Sequence, residues 1–255
     1  MNKFTIGTRG SELALWQANM VRDALETAFP DTTFEIKVIR TTGDQMQEIA
    51  LSKLGDKGLF TRQIETELLR GSIDFAVHSL KDLQTEQPEG LIIGAVCKRE
   101  ISNDVLISRD YSSIDELPAG AKVATGSLRR RSQLLNRRPD LQIVEIRGNV
   151  PTRLDKFASS DMDAMILAYA GIFRLGLTET FKCSLIPADV MVPAVGQGAI
   201  AVEVRSDDEQ FLRLTTALND EVTEIAVNAE RAFLRSSSRL QQPITRRTST
   251  GCTAS

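Results

Sequence analysis

The chain has 255 residues and a mass of 28.1 kDa, with 31 Lys and Arg against 34 Asp and Glu, giving a formal charge of −3 and a pI of 5.4. That balance excludes a globally basic nucleic-acid binder. A content of 42% hydrophobic and 25% charged residues fits a globular protein with a real core rather than a disordered chain. No apolar run approaches the roughly 18 residues of a membrane span, and Met1 to Ile6 lacks the layout of a signal peptide, so a cytoplasmic protein is expected. Three scattered cysteines and a single histidine argue against a disulfide framework and against a metal centre.

Lys3 to Thr8 alternates as a strand. It ends in Thr8-Arg9-Gly10-Ser11, after which Leu13, Trp16, Met20, Val21, Ala24 and Leu25 recur at helical spacing. Phe34 to Arg40 reads as a second strand, and residues 41 to 58 as a mobile polar loop. Phe60 to Arg70 is an amphipathic helix closed by Gly71, and Ile73 to Val77 a buried strand running into His78-Ser79-Leu80-Lys81-Asp82. This strand-helix-strand rhythm predicts a parallel sheet.

After Leu91 to Val96, the charged segment 99–104 is read as a hinge, beyond which the rhythm repeats. The second series comprises Val105 to Ser108, strand Lys122 to Thr125, a helix from Leu128 to Asn136 capped at Ser127, strand Gln142 to Ile146, and a helix opening at Pro151. Strand Ala164 to Ala168 and a short helix at 170–175 complete it. Val192 to Ala199 then leads into strand Ile200 to Val204, which returns to the first sheet. Glu221 to Leu234 forms a last helix, and Ser236 to Ser255 is read as loose. The fold expected is α/β in two domains around a cleft, the first of 1–99 with 196–216 and the second of 100–195.

Arginine outnumbers lysine by 22 to 9, and seven arginines fall between Arg129 and Arg153 among only two acids, Asp140 and Glu145. Arginine is the planar, bidentate partner of carboxylates, so this local cationic segment in an acidic protein points to a polyanionic ligand. The basic residues follow predicted strand ends, where open α/β sheets bind ligands. Asp82, beside Lys81 in this cationic setting, is the acid suited to stabilising a cationic intermediate and to handling protons on a ligand nitrogen. His78 is read as a hydrogen-bonded core histidine.

Several segments together resemble the porphobilinogen deaminase (hydroxymethylbilane synthase) family across residues 1 to 235. They are Thr8-Arg9 with Ser11 to Ala18; Gly55 to Phe60; Ala76 to Asp82; Ser127 to Arg130; Arg147-Gly148-Asn149; Thr152-Arg153-Leu154; and Pro193 to Ala199. The resemblance implies a transferase that joins four porphobilinogen units head to tail with loss of ammonia, primed by a dipyrromethane cofactor. Asp82 would then contact pyrrole nitrogens. Arg9, Lys81, Arg129, Arg130, Arg147, Arg153 and Arg174 would bind the acetate and propionate groups, Ser79 and Ser127 would add neutral hydrogen bonds, and Lys57 and Phe60 would belong to a lid. A monomer with no nucleic-acid or membrane partner is expected.

The chain departs from the family pattern at its C-terminal end. Leu240-Gln241-Gln242-Pro243-Ile244 is similar to the latter half of the family's cofactor-attachment segment, with Leu240 where the thioether cysteine stands. Cys252 is the weaker substitute, and the resemblance implies two α/β domains of the periplasmic-binding-protein-like kind with residues 217–255 as a truncated remnant of a third, α+β domain. The resemblance therefore implies impaired turnover, and a non-catalytic bilobed polycarboxylate-binding module is the second reading.

Overall fold

The computed structural model describes residues 2–45, 58 and 60–240. In chain order the elements begin with β1 (Asn2–Thr8), α1 (Glu12–Ala28), β2 (Thr32–Val38), α2 (Thr42–Gln45), α3 (Arg62–Leu69), β3 (Phe75–Ser79) and β4 (Leu91–Val96). The middle series is β5 (Asp104–Ser108), β6 (Lys122–Ala124), α4 (Leu128–Arg137), β7 (Gln142–Val144), α5 (Val150–Ala158), β8 (Ala164–Ala168), α6 (Tyr169–Arg174) and β9 (Cys183–Leu185). The chain continues through β10 (Ile200–Arg205), α7 (Glu209–Thr216) and α8 (Glu221–Leu240).

These strands form two five-stranded sheets, ordered β2-β1-β3-β10-β4 and β7-β6-β8-β5-β9. The two orders are equivalent, so each lobe repeats the other's topology without a visible sequence repeat. In the first sheet β1 runs parallel to β2 and β3, while β10 is antiparallel to β3 and β4. In the second, β6 is parallel to β7 and β8, while β5 is antiparallel to β8 and β9. The purely parallel sheet expected from the rhythm is therefore corrected to a mixed one. The reason is physical: an apolar run carries burial but no direction, and β5 and β10 each enter their sheet from a crossover out of the other lobe.

The first core gathers Ile6, Val21, Leu25, Phe34, Phe75, Val202 and Phe211. Phe211, on the unforeseen helix α7, meets both Phe4 and Phe75 edge-on at 5.0 Å. The second sheet has a core on each face, one around Leu106, Val123 and Leu134, the other around Ile107, Met165 and Ile172.

Helix starts follow local chemistry. Ser11 Oγ accepts from Ala14 N at 3.3 Å, and Asn149 Oδ1 accepts from Thr152 N at 2.9 Å. Helix α8 runs to Leu240, past the end expected at Leu234. Within that extension the Ser236 and Ser237 hydroxyls donate to the carbonyls of Ala232 and Phe233, at 3.1 and 3.0 Å, and so bond to their own helix rather than to a competing turn. Among the described residues no helix is long and apolar enough to cross a membrane.

Two crossovers, after β4 and before β10, join the lobes and lie against each other. Cys97 N donates to Ile200 O at 2.9 Å, and Glu100 N to Gly198 O at 3.1 Å. Gly198 has φ of +88°, and a Cβ there would stand 2.5 Å from Glu100 O, so only glycine permits this approach.

Candidate active site

Residues that follow β1, β3, β6, β7 and β8 line two adjoining recesses. From β1 comes Arg9, whose guanidinium pairs with Asp44 of α2 and stacks over the Phe60 ring at 4.2 Å. From β3 come Ser79 and then Lys81 and Asp82 on a single 3₁₀ turn, Leu80–Asp82. Arg9, Phe60, Ser79, Lys81 and Asp82, with Gln17, Thr61 and His78, line a recess of about 480 Å³, part of it open solvent. Gln17 is buried on the inner face of α1, and its Nε2 donates to Ser79 Oγ at 2.9 Å.

An adjoining recess of about 500 Å³ shares Gln17, Ser79 and Lys81 with the first and adds Arg130, Arg153 and Arg174 from the second lobe. Arg153 Nε donates to Gly148 O, and Arg174 Nη2 to Gly198 O, both at 2.7 Å. Arg174 also lies over Trp16 of α1, 5.6 Å from the ring centroid. Arg130 is held internally: Nε and Nη2 donate to Asp104 Oδ1 at 3.1 and 2.8 Å, and Nη1 to Ile166 O at 3.1 Å. Arg129 Nη2 stands 2.7 Å from the other Asp104 oxygen, and Gln197 Nε2 donates to Asp104 Oδ1 at 2.9 Å. Arg147 pairs with Glu145, and Ser127 caps α4.

The electrostatics are those of crowded cations. Lys81 opens to the cleft water yet is ringed by protein, and that ring, with Arg130 and Arg129, lowers its ammonium to about 8 against the pull of Asp82 and Asp104. Burial, then Arg130 and Arg147, push Arg153 down from its ordinary value, and Asp82 opposes them. Burial of Asp104 favours its neutral form, but Arg130, Arg129 and Gln197 outweigh it and hold the carboxyl below the usual range. A bound polyanion would relieve the mutual repulsion of Lys81, Arg130 and Arg153.

The family model described as "Porphobilinogen deaminase, dipyromethane cofactor binding domain" matches residues 4–213. The chain belongs to the porphobilinogen deaminase family. It is 53% identical over 234 residues to the porphobilinogen deaminase of Desulforamulus reducens, covering 92% of this chain and 75% of the relative. To those of Pelotomaculum thermopropionicum and Chlorobaculum tepidum it is 54% and 51% identical, covering 91% and 90% of this chain and 74% and 73% of theirs. By structure it is similar to the methionine binding protein MetQ, with a TM-score of 0.53, 15% identity and coverage of 89% of this chain and 94% of that one. A methionine-bound nutrient binding protein from Burkholderia cenocepacia gives 0.52 and 15%, covering 90% and 97%. These two likenesses carry the bilobed fold alone.

Of the residues singled out from sequence, Arg9, Phe60, Ser79, Lys81 and Asp82 share the first recess, and Ser79, Lys81, Arg130, Arg153 and Arg174 the second. Arg129, Arg147 and Ser127 line neither. Lys57, Cys252 and the side chain of Leu240 lie outside the described residues, as does most of the expected mobile loop, 46–57. Sequence reasoning passed over Gln17, Asp44, Thr61 and Asp104. Gln17 had a signal, a polar residue at core spacing beside Ala14, Ala18 and Val21; Asp104 had only its place before an apolar strand.

A dipyrromethane carries several carboxylates, and the donor set fits it: Arg153 and Arg174 spend hydrogen bonds on neutral carbonyls, and Lys81 is exposed to the cleft. Leucine at 240 has no sulfur for a thioether.

Proposed function

We propose that this cleft condenses porphobilinogen head to tail with loss of ammonia, as a transferase of tetrapyrrole biosynthesis working as a cytoplasmic monomer. The observation that carries the reading is the placing of Arg9, Lys81, Arg130, Arg153 and Arg174 along two adjoining recesses that meet at Ser79 and Lys81, with Asp82 in the first. The first two come from the first lobe and the last three from the second, so a ligand held by both sets spans the cleft. Each charge-assisted hydrogen bond to a ligand carboxylate contributes about 1.5–3 kcal/mol, enough in sum to fix the pyrrole ring's orientation.

With the acid groups held, Asp82 accepts the pyrrole N–H. Its negative charge stabilises the ring cation that forms as the aminomethyl carbon loses ammonia. Lys81 beside it lends a proton or a carboxylate contact according to pH. Ser79, fixed by Gln17, supplies a neutral donor and acceptor between the two recesses. Phe60 and Arg9 close one end against water. The cofactor, when bound, supplies the first pyrrole carbon to which substrate is joined; with leucine at 240 it is held by the cationic cradle without a thioether there, and turnover is correspondingly low.

The test measures ammonia release from porphobilinogen, with free dipyrromethane supplied, for the wild type and Asp82→Asn, alongside intact mass under denaturing conditions. The expected outcome is bare chain mass, slow ammonia release by the wild type and none by the variant, with porphobilinogen binding retained in both. Equal release by the two proteins, or no binding by either, would sink the assignment.

A further inference from the structure

The chain's one histidine lies at the back wall of the first recess, and its surroundings are unusual. His78 on β3 pairs with Ala201 of β10, and Ala76 pairs with Glu203, so the His78 and Glu203 side chains leave the sheet on the same face as neighbours. Helix α3 packs on that face, with Ile64 and Leu68 in one cluster with Ala76, and it brings Glu65 to the same place. Helix α8 covers the remainder through Val227 against Ala201.

All three groups are sealed from water: His78 is 4% exposed, Glu65 5% and Glu203 0%. His78 Nε2 stands 3.5 Å from Glu203 Oε2 without hydrogen-bond alignment. Among the described residues, four atoms of the group find no hydrogen-bond partner: His78 Nε2, both oxygens of Glu203, and Oε1 of Glu65. Three of these four are acceptors. Bare carboxylates sealed away without donors are among the costliest groups a protein can bury, and a proton on one of them turns an acceptor into the missing donor.

We propose that Glu65, His78 and Glu203 share bound protons as one buried unit that fastens α3 to β3 and β10, making His78 a positioning residue for Ser79, Lys81 and Asp82. The charged groups around the unit are Arg62 on α3 beside Glu65, and Arg231 on α8 near Glu203. Arg231 is committed elsewhere, donating to Gln84 O and to Gln87 Oε1 at 2.8 Å, and Arg235 donates to Thr85 O at 3.0 Å. Lys81 and Asp82 lie on the far side, in the recess His78 helps to line. Burial raises Glu65 from its ordinary value and the Glu203 charge adds to the rise; Thr61 opposes it, although among the described residues its hydroxyl has no hydrogen-bond partner. Thr61 heads α3 and also lines the recess, so the unit ties both walls, the helix start and the strand end, to one internal proton count.

Because His78 is the only histidine, ¹⁵N-histidine labelling gives one pair of ring signals needing no assignment. Three measurements on the full chain test the proposal. Infrared spectra at neutral pH should contain a protonated-carboxyl C=O band that is lost in Glu65→Gln or Glu203→Gln. The His78 ring nitrogen signals should move in both variants. His78→Gln should bind porphobilinogen several-fold more weakly, with a displaced pH profile. Absence of the band, or its persistence in both glutamine variants, overturns proton sharing, as do ring signals that ignore both substitutions. A His78→Gln profile superimposed on the wild type's overturns the positioning role. The positioning arm rests on the proposed substrate, whereas the infrared and NMR arms use no substrate and so fail or succeed independently of it.

Discussion

Replacing Asp104 with alanine removes the acceptor on which Arg129 and Arg130 converge. In the folded chain this fully buried carboxylate receives two hydrogen bonds from buried Arg130, one from Gln197 and an ion contact from Arg129. Truncation leaves Arg130 sealed in the protein with Ile166 O as its remaining hydrogen-bond acceptor. Breaking such a buried pair costs about 3–5 kcal/mol. At roughly 2–4 °C per kcal/mol for a chain of this size, the melting temperature should fall by about 6–20 °C. The sign of the pH effect follows from the direction of the shift. Asp104 is held below its ordinary value of 3.8, so its stabilisation is present above that pH and is lost as pH falls through the folded value. The gap between wild type and variant should therefore be full at neutral pH and shrink on acidification. Urea and thermal unfolding at several pH values would measure it, with a double-mutant cycle to Arg130→Met separating the pair from general cavity effects. The exposed pair Arg213–Glu209 serves as the control and should have no measurable effect. A loss for Asp104→Ala as small as the control's, or a gap that does not change with pH, would mean that the buried carboxylate does not hold Arg130 in place.

Three further outcomes are expected. Porphobilinogen affinity should fall as pH rises through about 8, where Lys81 loses its charge, and Lys81→Arg should flatten that profile in calorimetric titrations. Gly198→Ala places a Cβ 2.5 Å from Glu100 O at positive φ, so it should lower both unfolding temperature and ligand affinity; an unchanged melting curve would contradict the close crossing. Glu65 has a raised folded value, so its stabilisation is complete below the ordinary Glu value and is lost as pH rises through the folded one. Glu65→Gln should therefore gain on the wild type as pH increases, as read by chemical denaturation.

What could be read from the sequence is what local chemistry encodes. Ser11, Ser127 and Asn149 cap helices because their oxygens reach amides three residues on, and the same turns place Arg9, Arg130 and Arg153 at strand ends. Asp82 and Lys81 were legible because they directly follow a buried strand. The directions of β5 and β10 were not, since a strand's apolar pattern is the same read either way. The partners of Asp104 and Arg9 were hidden for another reason: Arg130 lies 26 residues and Asp44 35 residues away in sequence, and only the closed sheets bring them together. Gln17 belongs between these cases, visible as a misplaced polar residue but without a visible partner until Ser79 arrived beside it.

The paired crossovers constrain how this molecule can breathe. Two strands bound side by side by Cys97–Ile200 and Glu100–Gly198 hydrogen bonds bend together, as a strap does, and resist sliding past one another. The lobes can therefore swing like the covers of a book whose spine is this strap. Arg174, bonded to Gly198, and Arg130, bonded through Asp104 to Gln197, are tied to residues of that spine. Arg9 and Phe60 line the other recess, which Gly198 and Ala199 of the spine do not reach. A lengthening polypyrrole would then find room at the fore-edge, while the grip on its carboxylates beside the spine stays constant.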